Sequence, residues 1–302
     1  MAKVEQQVAR MQKKAVSKKQ QETQSAKILY FAWNPQSKAL PNIFLRSNLF
    51  TARHNNQPRT YRQKESIAVY GSGSITYTGQ ELRQNDEDMY LVLVDLVKRR
   101  YGFMPESQWP AGDSFRVEFT PKELIAALGI TKSATTYALL QTTMTRLQGA
   151  SLTIESTAEN AGVDASSGVS LSMLPTFGWK KRGGSESYWA DIPKTLFALF
   201  ARSHFTALHW EQRCKLNGGL AKWLHSFYST HREPFNLTLD TIMLLCGLSS
   251  EKRNLRIKVK KALDELKEIN FLVSGVVENG KIFVEKSNDA ERVAARQEHK
   301  EP

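Results

Sequence analysis

The chain reads as an α+β protein of two tandem winged-helix domains, with a basic N-terminal tail and a short C-terminal tail. Three observations predict this. First, one order of elements (helix, strand, helix, helix and two strands) occurs twice at an offset of about 118 residues. Phe119, Leu124 and Gly129 fall on Leu237, Ile242 and Gly247; after a small insertion, Leu147, Leu152 and Ile154 fall on Leu266, Phe271 and Val273. Second, the last helix of each unit carries one apolar stripe at helical spacing, as a helix packed on one side must. Third, Asn279-Gly280 separates two apolar runs, and both central positions of a type I′ hairpin turn need the positive φ that this dipeptide tolerates. A length of 302 residues agrees with two domains of roughly 150 residues each.

Residues 1–27 hold seven basic and two acidic side chains among many Gln, a composition that stays solvated. Within them Val4, Val8, Met11 and Ala15 follow helical spacing and offer an amphipathic helix to a partner surface. Residues 28–74 form a basic arm or linker, with Lys38, Arg46, Arg53, Arg59, Arg62 and Lys64 set against Glu65.

The first domain spans residues 75–190. Its opening helix, at 80–100, shows Met89, Leu93, Leu96 and Val97 on one face, and a strand at 115–119 follows. Thr120-Pro121-Lys122-Glu123 then starts a helix, because the Thr hydroxyl accepts from an unpaired N–H and Pro at the first position forfeits no bond. Gly129 ends it. A helix at 132–148, a strand at 152–156, a flexible stretch at 157–168 and a return strand at 169–174 complete the unit. The second domain spans 191–286 and repeats the order. It has a helix at 213–230, a strand at 235–239, a helix at 240–246 closed by Gly247, a helix at 251–268, and strands at 271–277 and 282–285. Residues 287–302 form a flexible tail.

In a winged helix the third helix enters the major groove and the hairpin touches backbone. On the second domain's third helix, Leu255, Val259, Ala262, Leu263 and Leu266 define the buried stripe. Arg253, Ile257, Lys260 and Lys261 therefore face outward, with Arg256 at the flank. Residues 251–261 carry six basic side chains and one acidic. Arg donors suit guanine O6 and N7 or phosphate oxygens, and Ile257 suits a thymine methyl. Lys281, next to the hairpin turn, adds a phosphate contact. A merely solvated basic face is the alternative; DNA is favoured because the basic half of the helix is the N-terminal half, which approaches the bases.

The first domain's third helix buries Ser133, Tyr137, Leu140, Met144 and Leu147, and turns out Thr135, Ala138, Leu139, Thr142, Thr145 and Arg146. Thr135, Thr142 and Arg146 are candidate DNA contacts, although one Arg attracts phosphate far less than the other domain's cluster. The exposed Leu139 equally allows a protein contact. Arg46 and Arg53 belong to a segment that either follows phosphates or the minor groove, or is a plain linker. Lys180-Lys181-Arg182, in a Gly-rich turn, offers a further phosphate contact.

Forty-two Lys and Arg against 30 Asp and Glu leave a net charge of +12, which calls for an anionic partner without identifying it. No run approaches the roughly 18 apolar residues of a membrane span, and the polar N-terminus lacks a signal peptide's apolar core. A cytoplasmic, nucleoid-associated protein with no membrane partner is expected. Cys214 and Cys246 are the only cysteines and have no CxxC or His-rich neighbourhood, which argues against a disulfide framework and against a metal. Gly71-Ser72-Gly73 completes neither phosphate-loop spacing, so no nucleotide cofactor is expected. Asp86, Glu87 and Asp88 are adjacent carboxylates such as a nuclease metal site uses, but the dipole at a helix start accounts for them more simply. No nucleophile and base are paired, so the chain is expected to work by binding and not as an enzyme.

Four segments, taken in order, resemble the TrfA-type plasmid replication initiators over residues 40–285. They are Leu40-Pro41-Asn42; Arg46-Ser47-Asn48-Leu49-Phe50-Thr51-Ala52-Arg53; Ile75-Thr76-Tyr77-Thr78-Gly79-Gln80-Glu81-Leu82-Arg83; and Ser229-Thr230-His231-Arg232-Glu233-Pro234. The resemblance implies a protein that binds tandem direct repeats (iterons) in double-stranded origin DNA and helps to open an adjacent AT-rich segment. It further implies recruitment of the host replicative helicase with the host initiator protein, and self-association with monomer–dimer exchange that limits plasmid copy number. Two rivals use the same folds: a transcription regulator reading an inverted repeat as a dimer, and an adaptor whose basic surface meets an acidic protein.

Overall fold

The computed structural model describes residues 34–71, 73–102, 108–155, 168–182, 185–200 and 204–287. The 1–27 tail, nearly all of the 287–302 tail and nearly all of the 157–168 stretch lie outside the described residues. The chain opens with β1 (Ser37–Pro41), α1 (Asn42–Leu45), β2 (Phe50–Thr51), β3 (Tyr61–Ile67), β4 (Ser74–Gln80) and β5 (Leu82–Arg83). The first unit is α2 (Gln84–Tyr101), β6 (Ser114–Phe119), α3 (Pro121–Leu128), α4 (Ala134–Gln148), β7 (Ser151–Glu155) and β8 (Gly168–Ser172). Five connecting elements follow: β9 (Thr176–Arg182), β10 (Ser185–Pro193), α5 (Lys194–Ala198), β11 (Phe205–His209) and α6 (Trp210–Lys215). The second unit is α7 (Gly219–Ser229), β12 (Leu237–Thr238), α8 (Leu239–Leu245), α9 (Lys252–Glu268), β13 (Leu272–Glu278) and β14 (Lys281–Lys286). No described helix is long and apolar enough to cross a membrane.

Local chemistry sets several of these boundaries. The Thr120 hydroxyl accepts from the Glu123 N–H at 3.1 Å while the Glu123 carboxylate accepts from the Thr120 N–H at 2.7 Å, and Gly129 closes α3 at φ 67°. Asn279 and Gly280 take φ 48° and 73°, which turns β13 back into β14.

The second unit closes a three-stranded sheet in the order β12-β14-β13. The first unit does not. Its β6 pairs with β10 in the order β6-β10-β9, and β7 and β8 extend β4 and β3 in the order β3-β4-β7-β8. The two units thus share an element order but not a sheet topology. The likeness of Val273 to Ile154 also ends in the backbone. Ile154 is buried, whereas a register irregularity between Leu272 and Ser274 leaves Val273 exposed.

The basic arm expected at 28–74 is folded in its described part. β1 pairs with β11, and β3 forms an edge of the four-stranded sheet. Ala39, Leu40 and Leu208 lie in the first core, so residues up to 208 belong with the first unit and not with a second domain starting at 191. The second core runs from Leu216 to Ile282 and takes in Ala52. The expected helix at 80–100 starts later, at Gln84. Residues 74–80 bury alternate side chains as a strand, and the Asp86 carboxylate accepts from the Arg83 N–H at 2.7 Å to fix the helix start. The helix expected at 213–230 is two helices. Glu265 Oε2 accepts from the N–H groups of Asn217 (3.1 Å) and Gly218 (2.9 Å), holding the chain in a bend between α6 and α7.

Gly79, at φ 150°, is a close approach in β4: a Cβ there would meet Tyr77 Oη at 2.7 Å and the Gly149 carbonyl oxygen at 2.9 Å. Gly79→Ala is expected to destabilise the chain by about 1–3 kcal/mol through backbone strain and overpacking, read as a lower urea midpoint at unchanged slope.

Of the three acidic residues at the start of α2, one braces the first unit and two reach towards the second. Asp86 meets Arg59 and Arg146, while Glu87 and Asp88 meet the fully buried Arg213 of α6. Lys222 and Ser226 of α7 complete the cluster. Burial pushes the Glu87 carboxyl up despite Arg213 beside it; burial works the same way on Asp88, but Arg213 and Lys222 outweigh it and hold that carboxyl low. Asp86 thus pairs within the first unit, Glu87 and Asp88 pair with Arg213 of the connecting α6, and Asp88 carries the ion pair to Lys222 of α7, which is more than the helix-dipole role expected of them.

Candidate nucleic-acid interface

α9 is held by Leu255, Val259, Ala262, Leu263 and Leu266, all buried against α7 and β13. The remaining faces are then exposed by geometry. Arg253, Arg256, Ile257, Lys260 and Lys261 are all exposed, and Ile257 at 63% is an apolar tip among cations. Arg256 Nη2 donates to the Val277 carbonyl at 3.3 Å, joining the helix flank to the β13–β14 hairpin. Lys252 pairs with Asp240 at 2.9 Å, which spends that charge on α8. Lys281 is exposed directly after the turn, and the Gly280 carbonyl accepts from the Leu239 N–H at 2.9 Å, so the hairpin turn is anchored to the start of α8. Together these residues make one exposed basic surface of helix and hairpin.

The opposite flank of α9 carries Lys258, which the sequence reading did not single out. Its signal was present in the basic run at 251–261, but a flank position is ambiguous until its neighbour is known. That neighbour is the loop at 53–58, brought across from the first unit.

The first unit offers a weaker surface. Thr135 and Thr142 are exposed on α4 as expected, with the Thr142 hydroxyl donating to the Ala138 carbonyl at 2.9 Å. Ser133 is not a core residue; it caps α4 by accepting from the Thr136 N–H at 3.1 Å. Arg146 is corrected outright. It is 8% exposed and turns inward, donating to Asp86 and, at 3.0 Å, to Gln80 Oε1, because the buried Asp86 of α2 and the end of β4 lie beside its flank of the helix. Leu139 and Ile130 remain exposed at 43% and 40%.

Arg46 and Arg53 are not on a free arm. Arg46 donates to Thr230 through Nε (2.8 Å, to the hydroxyl) and Nη2 (2.7 Å, to the carbonyl). Burial lowers its pKa from the ordinary guanidinium value. Arg53 Nε donates to the Gly247 carbonyl at 3.2 Å and lies 3.6 Å from Glu81. Both pin the segment at 46–53 onto the second unit, a role that local sequence cannot reveal because the partners are almost 200 residues away.

Lys180 and Lys181 are exposed on β9 beside Trp179, itself 53% exposed, with Lys181 reaching Glu186 at 3.7 Å. Both cysteines are free, and burial pushes the Cys246 thiol up to about 12. Among the described residues no group of three or more His, Cys, Asp or Glu is placed to hold a metal.

The chain matches the family model of the TrfA protein over residues 2–286. It is 32% identical over 251 residues to the plasmid replication initiator protein TrfA of Escherichia coli, covering 82% of this chain and 60% of that protein. The chain thus spans about 60% of the length of that curated relative. Among solved structures it is similar to domains 2 and 3 of RctB, with TM-score 0.55 and 12% identity over 82% of this chain and 98% of that one. It also matches Pi initiator protein in complex with iteron DNA at TM-score 0.43 and 15% identity, over 68% and 96% of the two chains. The RctB likeness is one of fold alone.

Proposed function

This chain belongs to the TrfA protein family, and from that premise we propose that it is a plasmid replication initiator that binds tandem direct repeats in double-stranded origin DNA. The observation that carries the reading is the exposed basic surface of α9 and the β13–β14 hairpin: Arg253, Ile257, Lys260 and Lys261 outward, Arg256 at the hairpin and Lys281 by its turn. α9, at the roughly 10–12 Å diameter of a helix with its side chains, fits the ~12 Å major groove. Its cations reach base edges and phosphates, and the hairpin meets a bordering strand. The first unit, with Thr135 and Thr142 outward, contributes weaker contacts to the same duplex.

The proposal extends to the steps that follow binding. The bound initiator promotes opening of an adjacent AT-rich segment, recruits the host replicative helicase with the host initiator protein, and is limited by exchange between dimers and DNA-binding monomers. It acts in the bacterial cytoplasm by binding, with no catalytic step, metal or cofactor of its own.

The test is a footprint of the purified chain on the DNA flanking its gene, titrated at one fixed salt concentration because phosphate contacts make affinity salt-dependent. Regularly spaced protected segments in one orientation are expected. A single protected palindrome over a promoter would replace the initiator with a transcription regulator, and uniform coating would remove sequence-specific binding altogether.

A further inference from the structure

The flank of α9 away from the wing borders a groove of about 520 Å3 between the two units. Its walls are the 53–58 loop on one side and α9 on the other, with Arg53, His54, Lys258 and Lys261 lining it. Lys258 and Lys261 are both exposed, and among the described residues no carboxylate lies within ion-pair distance of either. The single acidic side chain of the lining, Glu265, is directed elsewhere: its carboxylate accepts the Asn217 and Gly218 N–H groups ahead of α7. The groove is therefore cationic, and the start of α7 already has its anion.

The loop wall is tied down by hydrogen bonds. The fully buried Arg83 donates to the carbonyls of His54, Gln57 (2.9 Å) and Pro58 (2.9 Å), so one guanidinium holds both ends of the loop. Arg59 donates to Asp86 at 2.7 Å and closes the loop's far end. At the near end the His54 Nδ1 accepts from the Asn56 N–H at 3.2 Å. That bond fixes the tautomer in which Nε2 carries the hydrogen and can donate to an acceptor in the groove.

A helix seated in the major groove has a sugar-phosphate strand along each flank. The wing, with Lys281, serves one of them. We propose that the groove is the seat of the other: backbone phosphates of the duplex read by α9 run between His54 on the Arg83-held loop and Lys258 and Lys261 on the helix. This rests on the reading that α9 enters the major groove and goes beyond it, because it puts a segment of the first unit onto DNA bound by the second. Arg83 acts here as a positioning residue that never touches the ligand.

The experiment is equilibrium binding by the full chain to a duplex carrying one protected repeat and to a random duplex of equal length, each over a salt series. Lys258→Ala is expected to weaken both duplexes by the same factor and to flatten the slope of log affinity against log salt by about 0.9, the signature of one lost phosphate contact. His54→Ala, which removes one hydrogen-bond donor, is expected to weaken both by roughly two- to tenfold. Ethylation of phosphates on the strand away from the wing is expected to interfere with the wild type and to interfere less with Lys258→Ala, which has already lost one of the contacts. Both replaced side chains are exposed, so the fold is retained. If the wild type binds the repeat and both variants match it in affinity and slope, the groove is not a phosphate seat. A loss confined to the repeat duplex also overturns the proposal, since it would mean base reading. If the wild type binds neither duplex, the initiator reading itself falls.

Discussion

Arg213→Met is expected to lower the stability of the chain by about 3–5 kcal/mol at neutral pH, the cost of breaking a buried ion cluster by removing one partner. Arg213 is fully buried and donates to Asp88, to Ser226 Oγ at 2.6 Å, to the Lys222 carbonyl at 3.2 Å and to Gln84 Oε1 at 3.1 Å, and it lies 3.3 Å from Glu87. Methionine fills part of the volume but leaves Asp88 with Lys222 as its cation and Glu87 with only the neutral donors Gln84 and Ser226. The loss is read as a fall in the urea midpoint at unchanged slope.

A pH series separates charge from packing. Asp88 is held low in the folded chain, so its contribution is present above the ordinary aspartate value of about 3.9 and is lost as pH falls through the folded value. Glu87 is raised, so it favours the folded state while protonated, and that favour is lost as pH rises through its folded value. In the variant both carboxyls are relieved by protonation. The gap to the wild type should therefore be widest near neutrality and narrow as pH falls below about 4. A gap that does not change with pH would assign the loss to packing. Asp88→Asn together with Arg213→Met should cost less than the sum of the two single changes, because the second change removes a charge the first has stranded.

What the sequence made legible was local. Thr120 with Glu123, Gly129, the Asn279-Gly280 turn and the stripe from Leu255 to Leu266 each carry their physics within a few residues, and each appears as expected. What it hid was non-local. β1 finds β11 across some 170 residues, and β3 is an edge strand that buries only Arg62 and Ile67, so neither leaves a periodic trace. The same holds for the site. α9 could be oriented because its apolar stripe is unbroken, which fixes where Arg253 and Lys260 point. α4 could not be oriented fully, because Arg146 lies on a flank whose direction is decided by Asp86 and Gln80 on other elements. His54 and Lys258 were missed for that reason too: each matters only once the other's element is placed beside it.

On the α9 surface, two substitutions separate reading from holding. Arg253→Ala is expected to cost about 1–3 kcal/mol on the protected repeat if the guanidinium reaches guanine O6 and N7, and to leave binding to a random duplex nearly unchanged. Systematic base replacement in the repeat should then show one position at which the variant no longer discriminates. Lys260→Ala is expected to weaken repeat and random duplexes alike and to flatten the salt slope by about one unit, since a lysine on phosphate acts as a point charge without sequence information. Arg253 and Lys260 are both exposed and outside the buried stripe, so neither change should move the unfolding midpoint by more than about 0.5 kcal/mol in stability. The two outcomes are linked by geometry: Arg253 belongs to the first turn of α9, the end that approaches the bases, and Lys260 lies two turns further along, where the helix leaves the groove floor. If Arg253→Ala lost affinity equally on both duplexes while Lys260→Ala lost it on the repeat alone, α9 would lie in the groove with its ends exchanged. The wing and Lys281 would then have to meet the opposite strand.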